Sequence, residues 1–161
     1  MDTWEHWWRQ AQFDLEVCDL LHGCQKWAPC CFFAQQAIEK SLKALARKPT
    51  TFGNLDTVTF NDLSGYSFGQ LGAGGDQCKV RHDLAKGLND LHVFHRKSLQ
   101  GFDPDLRRIE QENIGESTRY PDAKRPSGPL SSAPCDAFSS EDATWLKDLA
   151  HKILSVVSSR I

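Results

Sequence analysis

The chain has 161 residues, a length that suits one globular domain with a single hydrophobic core. Its formal net charge of -2 at pH 7 does not indicate the broad basic surface by which many proteins bind duplex nucleic acid, although it leaves local basic patches open. No apolar run reaches the roughly 18 to 20 residues that a membrane span needs, and the first residues do not resemble a signal peptide. We therefore expect a cytoplasmic protein with neither membrane nor duplex nucleic acid as a partner.

The six cysteines are an even number, which raises the possibility of disulfides. Three of them, Cys18, Cys30 and Cys31, lie at helical positions in a chain large enough to fold without cross-links. We therefore expect free thiols in a reducing compartment.

The first two predicted helices have clear boundaries. Asp2 or Thr3 can cap the first helix, and Gly23 can end it in the left-handed conformation. The second helix accommodates Pro29 in its first turn and continues to about Lys48.

The middle of the second helix, residues 34–45, is the most regular stretch of the sequence. Small and aliphatic residues recur there at the three- and four-residue spacing of one helix face, which predicts close packing against other helices. That face consists of Ala34, Ala37, Ile38, Ser41, Leu42 and Leu45. The remaining positions are polar and are expected to face solvent.

Residues 50–78 change to a composition rich in Gly, Ser, Thr, Asn and Asp. The glycine-rich part lacks the lysine and the residue order of a phosphate-binding loop, so we predict a mobile loop. A third helix is predicted to begin near Val80.

The rest of the chain predicts a short helix, a proline-rich loop and a long final helix. Asp103 is the expected cap of a helix over residues 104–117, and residues 119–138 contain too many prolines for helix. Ser139 and Asp142 form a capping-box pattern at the start of the last helix. The predicted fold class is all-α, an antiparallel up-and-down helical bundle with four main helices and one accessory helix.

Five motifs, taken together in this order, resemble the HEPN domain family (higher eukaryotes and prokaryotes nucleotide-binding). They are AQFDL at 11–15, AQQAIEKSLKA at 34–44, HDL at 82–84, RYPD at 119–122 and SEDA at 140–143. The resemblance implies that residues 1–161 form a single HEPN-like helical domain. Among animal members of the family, the chain most resembles the domain that ends sacsin, a very large chaperone-related protein.

The enzymes of this family are metal-independent ribonucleases that carry an arginine followed, after four to six residues, by a histidine. No arginine of this chain has that spacing. The resemblance therefore implies a non-catalytic module that binds a nucleotide such as ATP or GTP, requires no cofactor and forms a homodimer. The alternatives are a ribonuclease whose catalytic histidine is displaced and a pure protein-protein interaction module, which could join other domains of a larger chain.

The predicted nucleotide or anion site combines basic residues with a tyrosine. Arg81 and His82 open the third helix, where the helix dipole favours negative charge. The full predicted set is Lys43, Arg81, His82, Arg119, Tyr120, Lys124 and Arg125. A structural alternative stays open for two of them, in which Arg119 caps helix carbonyls and Tyr120 fills a gap.

Two further hypotheses concern metal and assembly. Cys18 and His22 are four apart on a helix and could both reach a metal ion, although their spacing matches no common zinc framework, and we predict no metal. The homodimer is predicted to use residues 34–45 or the start of the chain, where Trp4, Trp7 and Trp8 crowd together. In the competing account, the loop 50–78 covers these surfaces and leaves a monomer.

Overall fold

The computed structural model describes residues 3–47, 100–121, 123–128 and 133–161. All regular structure within these ranges is helical, which confirms the predicted all-α bundle. The α-helices are α1 (Thr3–Gly23), α2 (Trp27–Arg47), α3 (Asp103–Gln111), α4 (Ile114–Ser117) and α5 (Ser140–Ser158). Short 3-10 helices precede α3 and α5, at Gln100–Phe102 and Pro134–Asp136. The predicted third helix and the predicted loop 50–78 lie outside the described residues.

A tight turn joins α1 to α2, so the two helices run antiparallel and pack along their lengths. Within this turn Gln25 adopts a left-handed conformation with φ of 56°. The backbone N–H of Lys26 closes the turn by donating to the carbonyl oxygen of Leu21 at 2.9 Å. The prediction that α1 ends at Gly23 is confirmed. The prediction that Gly23 itself is left-handed is wrong, because Gln25, two residues later, takes that conformation.

We expect Gln25→Gly to stabilise the protein by about 1 kcal/mol, because glycine has no Cβ to clash in the left-handed region. Urea unfolding followed by tryptophan fluorescence measures this change. The matched control is Gln12→Gly at an exposed position inside α1, where glycine should destabilise the helix by about 1 kcal/mol. Equal destabilisation by both substitutions would contradict the assignment of the turn.

Helix α2 occupies the centre of the described bundle, since it packs against both α1 and α5. The predicted apolar face is confirmed, and its buried members are Ala34, Ala37, Ile38, Ser41, Leu42 and Leu45. The expectation that the opposite positions face solvent is wrong for Gln35, which is only 1 % exposed. Gln35 tolerates burial because its side chain hydrogen-bonds to Gln36 and Glu39.

The predicted helix over residues 104–117 is broken in two. Asn113 takes a left-handed conformation with φ of 51°, which separates α3 from α4. Asparagine is one of the few residues that tolerate this conformation. The start of α3 also differs from the prediction, because Phe102 is the N-cap and Asp103 is the first helical residue.

The last helix begins as predicted. The Ser139 side chain accepts a hydrogen bond from the backbone N–H of Asp142, and the Asp142 carboxylate accepts one from the backbone N–H of Ser139. This reciprocal capping box satisfies two N–H groups that would otherwise have no intrahelical partner. The buried stripe of α5 consists of Ala143, Leu146, Leu149, Ala150, Ile153, Leu154 and Val157.

Candidate functional site

A buried ion pair between Asp14 and Lys40 links α1 to α2. The Asp14 side chain is 3 % exposed and its Oδ2 atom pairs with Nζ of Lys40, while its Oδ1 atom accepts a 2.9 Å hydrogen bond from Gln10. A buried carboxylate needs such partners, because the loss of its hydration would otherwise cost several kcal/mol.

The same helices meet through their small residues. Ala11 and Ala37 are fully buried and belong to one apolar cluster, which brings the two backbones close together. Ala11 and Asp14 belong to the first motif of the sequence, and Ala37 and Lys40 belong to the second. These motif residues therefore specify the hairpin of α1 and α2 rather than a binding site.

A line of polar side chains follows one face of α2 towards its C-terminal end. Gln36 donates to Gln35 at 2.7 Å, Gln35 donates to Glu39 at 3.2 Å, and Lys43 pairs with Glu39 at 2.6 Å. The Lys43 ammonium also lies 4.7 Å from the centre of the Trp7 ring on α1. Lys43 thus has partners within the bundle, and it holds α1 and α2 together.

Arg125 is almost entirely buried, with a side chain that is 7 % exposed. Its guanidinium binds both carboxylate oxygens of Asp142, with Nη1 and Nη2 each donating at 2.8 Å. Nε donates to Glu112 at 2.9 Å, and the guanidinium carbon lies 4.8 Å from the centre of the Phe138 ring. Because two carboxylates already hold Arg125, an incoming anion would have to displace one of them.

These contacts change the acidity of the two carboxylates. Hydrogen bonds from Arg125 lower the pKa of Asp142 to about 2, although burial opposes this effect. Burial raises the pKa of Glu112, but hydrogen bonds from Ser127 and Arg125 outweigh it and leave that pKa below its usual range. Both carboxylates therefore stay ionised at neutral pH and hold the loop that contains Arg125 against α5.

Arg119 lies in the turn that follows α4. Its Nε atom donates to the carbonyl oxygen of Gly115 at 2.8 Å, and Nη2 pairs with Glu116 at 3.0 Å. The guanidinium carbon lies 5.3 Å from the centre of the Phe32 ring on α2 and 5.1 Å from that of Tyr120. Through its hydrogen bond to Gly115, Arg119 caps a helix carbonyl, as the structural alternative from the sequence proposed.

Tyr120 is much more exposed than a core aromatic residue. Its side chain is 47 % exposed, so it does not fill a gap in the core. Arg119 beside it is 35 % exposed, which leaves part of the guanidinium in solvent. The two residues present a cation and an aromatic ring together at the surface.

Lys124 follows this pair in the chain, and its backbone is held at the other end of α4. The Asn113 side-chain amide donates to the carbonyl oxygen of Lys124 at 3.3 Å, which ties the loop to the start of α4. Helix α4 has 4 residues and is therefore about 6 Å long, so its two ends are near each other. The Lys124 side chain is exposed.

The predicted site residues thus divide into separate groups. One group flanks α4 and consists of Arg119, Tyr120 and Lys124. Arg125 is instead paired with Asp142 in the first turn of α5. Lys43 lies three helical turns from Phe32 on α2, about 16 Å along the axis, so it is not brought to Arg119. Arg81 and His82 lie outside the described residues.

Sequence reasoning missed two features of the described surface. The first is Phe32, whose position beside Arg119 depends on the fold. The second is a pair of exposed apolar side chains on α1, Phe13 at 56 % and Leu20 at 70 %. Their seven-residue spacing places them on one helix face, and this pattern could have been read from the sequence.

The residues considered for a metal site have other partners. Nε2 of His22 lies 2.9 Å from Oγ1 of Thr144, and its ring contacts Trp27 edge to face. Cys18 faces Cys30 instead. Among the described residues, no group of three or more His, Cys, Asp or Glu side chains has an arrangement that could hold a metal ion.

Comparisons with known proteins support the family resemblance over part of the chain. Residues 4–51 match the model of the HEPN domain, and the described part of this range is the hairpin of α1 and α2. The structure is similar to the crystal structure of TT1696 from Thermus thermophilus, with a TM-score of 0.63, 25 % sequence identity and complete coverage of both chains. No curated protein sequence matches significantly.

None of the described helices combines the length and the apolar character that crossing a bilayer requires.

Proposed function

We propose that the chain is a non-catalytic nucleotide-binding and dimerisation module, similar to the domain that ends the chaperone-related protein sacsin. The HEPN match over residues 4–51 supports the family part of this proposal. The five motifs of the sequence, in their family order, support the same part, and the similarity to sacsin is our interpretation of the sequence as a whole.

The observation that carries nucleotide binding is the exposed pair Arg119 and Tyr120. An aromatic face can stack on a nucleobase, and a guanidinium can bind phosphate oxygens through charge-assisted hydrogen bonds. Phe32 and Gly115 position the arginine from two sides, so little side-chain entropy remains to be lost on binding.

Lys124 adds a second exposed cation, whose backbone is tied to the start of the short helix α4 that Arg119 and Tyr120 follow. In the proposed complex, Tyr120 stacks on the base of ATP or GTP, while Arg119 and Lys124 bind its phosphates. Arg125 and Lys43 are assigned structural roles, because each is held by carboxylates inside the bundle.

The non-catalytic part of the proposal rests on the absence of the arginine-histidine spacing. General acid-base cleavage of RNA needs a group that exchanges protons near neutral pH, for which histidine is best suited. Two of the described histidines have partners away from Arg119, since His22 contacts Thr144 and His151 contacts Asp19.

Calorimetric titration with ATP and GTP tests nucleotide binding. We expect Arg119→Ala to weaken binding by about tenfold or more, because it removes charge-assisted hydrogen bonds to phosphate. Arg107→Ala, at an exposed position on α3, should leave the affinity nearly unchanged. Absence of binding at millimolar nucleotide, or equal loss in both variants, would contradict the proposal.

Incubation with single-stranded RNA tests the ribonuclease alternative. We expect equal background cleavage with the wild-type protein and with Arg119→Ala. Cleavage by the wild-type protein that disappears in the variant would show that the protein is an enzyme.

The dimer is proposed to form through the exposed face of α1. Residues 34–45 are buried or half-buried within one copy, and the three tryptophans at the start of α1 are half-buried. Phe13 and Leu20 are the more exposed apolar residues. Two copies of α1 packed antiparallel about a two-fold axis would place Phe13 of each copy on Leu20 of the other.

We expect light scattering at micromolar concentration to give twice the monomer mass for the wild-type protein. Phe13→Ser combined with Leu20→Ser should reduce the mass to that of a monomer, because each apolar side chain loses about 2 kcal/mol of burial. Gln12→Ser, on an exposed part of the same helix, is the control. A wild-type mass that stays monomeric at all concentrations would contradict this interface.

A further inference from the structure

Two buried thiols face each other where α1 packs on α2. Sγ of Cys18 lies 3.5 Å from Sγ of Cys30, and both side chains are 0 % exposed. The two residues lie on opposite sides of the turn that joins the helices. Both are free thiols in the structure.

The electrostatic environment makes the two sulfur atoms unequal. The hydrogen bond with Cys30 and burial raise the pKa of Cys18. The hydrogen bond from Cys18 lowers the pKa of Cys30, and the charge of Lys147 on α5 acts in the same direction, whereas burial and Asp19 oppose it. Cys30 is therefore the sulfur that more readily loses its proton, and its thiolate accepts the hydrogen bond from Cys18 and acts as the nucleophile.

We propose that Cys18 and Cys30 form a dithiol modification site, which a hydroperoxide oxidises to a disulfide between α1 and α2. The Cys30 thiolate attacks a peroxide oxygen, the O–O bond breaks, and water leaves once the departing oxygen is protonated. Sγ of Cys18 then attacks the resulting sulfenic acid, which releases a second water molecule. Two thiols and one hydrogen peroxide thus give one disulfide and two water molecules.

The geometry favours this product over other sulfur chemistry. A disulfide has an S–S length of about 2.05 Å, so the two sulfur atoms must approach by about 1.5 Å. The helices that carry them are already packed together. A sulfenic acid on Cys30 would form in contact with Cys18, so the second step would be faster than further oxidation.

Burial controls the rate of the first step. Because both thiols are 0 % exposed, the peroxide reaches them only when the end of the hairpin opens locally. Cys24 and Cys135 are exposed, and their sulfur atoms react without such opening. Low urea concentrations that leave the protein folded should therefore accelerate the Cys18–Cys30 reaction more than the reactions of exposed thiols.

Peptide mapping of the full chain tests the proposal. The Cys24→Ser/Cys31→Ala variant leaves one cysteine in the tryptic peptide 10–26 and one in the peptide 27–40. After treatment with hydrogen peroxide and alkylation of the remaining thiols, we expect these two peptides to be cross-linked and to separate on reduction. Fragmentation of the cross-linked peptides from the wild-type protein gives the same assignment without any substitution.

Other outcomes would overturn the proposal. One is stable sulfinic acid on Cys30 of the wild-type protein. Another is oxidation of Cys24 and Cys135 while Cys18 and Cys30 stay unmodified. The third is a disulfide that joins Cys18 to Cys31. A Cys18→Ala variant should lose the cross-link and should accumulate sulfenic or sulfinic acid on Cys30.

Discussion

Replacement of Lys40 by methionine is expected to lower the free energy of unfolding by about 3 kcal/mol or more. The substitution removes the cation that pairs with Asp14, whose side chain is 3 % exposed. Gln10 remains as a hydrogen-bond donor to the carboxylate, but one neutral donor does not compensate the desolvation of a charge. Urea unfolding at neutral pH measures the loss.

Two variants distinguish the loss of the Asp14–Lys40 ion pair from the loss of packing by the methylene groups of Lys40. Lys152→Met, at an exposed position on α5, should change stability by less than about 0.5 kcal/mol. The double variant Asp14→Asn/Lys40→Met should recover part of the stability that Lys40→Met loses, since no unpaired charge is then buried. A loss of similar size in Lys152→Met, or no recovery in the double variant, would contradict this account of the hairpin.

Replacement of Arg125 by methionine should be comparably harmful, with an expected loss of about 3 kcal/mol at neutral pH. The change leaves Asp142 and Glu112 without their common partner and detaches the loop from the start of α5. Arg125→Lys should recover only part of the loss, because a lysine cannot make two parallel hydrogen bonds to one carboxylate. Arg107→Met is the surface control.

The stability lost in Arg125→Met is expected to depend on pH, and the pKa of Asp142 determines whether the loss grows or shrinks as pH falls. A carboxylate with a lowered folded-state pKa contributes its full stabilisation above its unfolded value, here 3.8, and loses it as pH falls through about 2. The difference in stability between the wild-type protein and Arg125→Met should therefore be constant above pH 5 and shrink between about pH 4 and pH 2. A difference that is independent of pH across this range would exclude the Arg125–Asp142 pair as its cause.

Local patterns in the sequence predicted most of the described helices. The apolar spacing of α2 and the capping box at Ser139 depend only on residues within one element, and both predictions are confirmed. The break at Asn113 was not predicted, because an asparagine in the left-handed conformation interrupts α3 without altering the apolar spacing.

The candidate site was harder to predict because its contacts join distant parts of the chain. Arg119 is set against Phe32 on α2, and Arg125 is paired with Asp142 on α5. Both arginines lie in the same proline-rich loop and have the same charge, yet one is partly exposed and the other is buried. The sequence grouped them as one site, and only the packing of the helices separates their roles.

The side-chain resonance of Arg119 gives the most direct measurement of the proposed function. Its Nε–H is hydrogen-bonded to Gly115, which should slow exchange with water and make the group observable by nuclear magnetic resonance in protein labelled with nitrogen-15. The signal is assigned from its absence in Arg119→Lys. We predict that millimolar ATP or GTP shifts the Nε–H resonance of Arg119 and the ring resonances of Tyr120 in a saturable way, while those of Arg107 stay unchanged. If all these resonances stay in place, or shift equally for Arg107, the chain does not bind a nucleotide at this site.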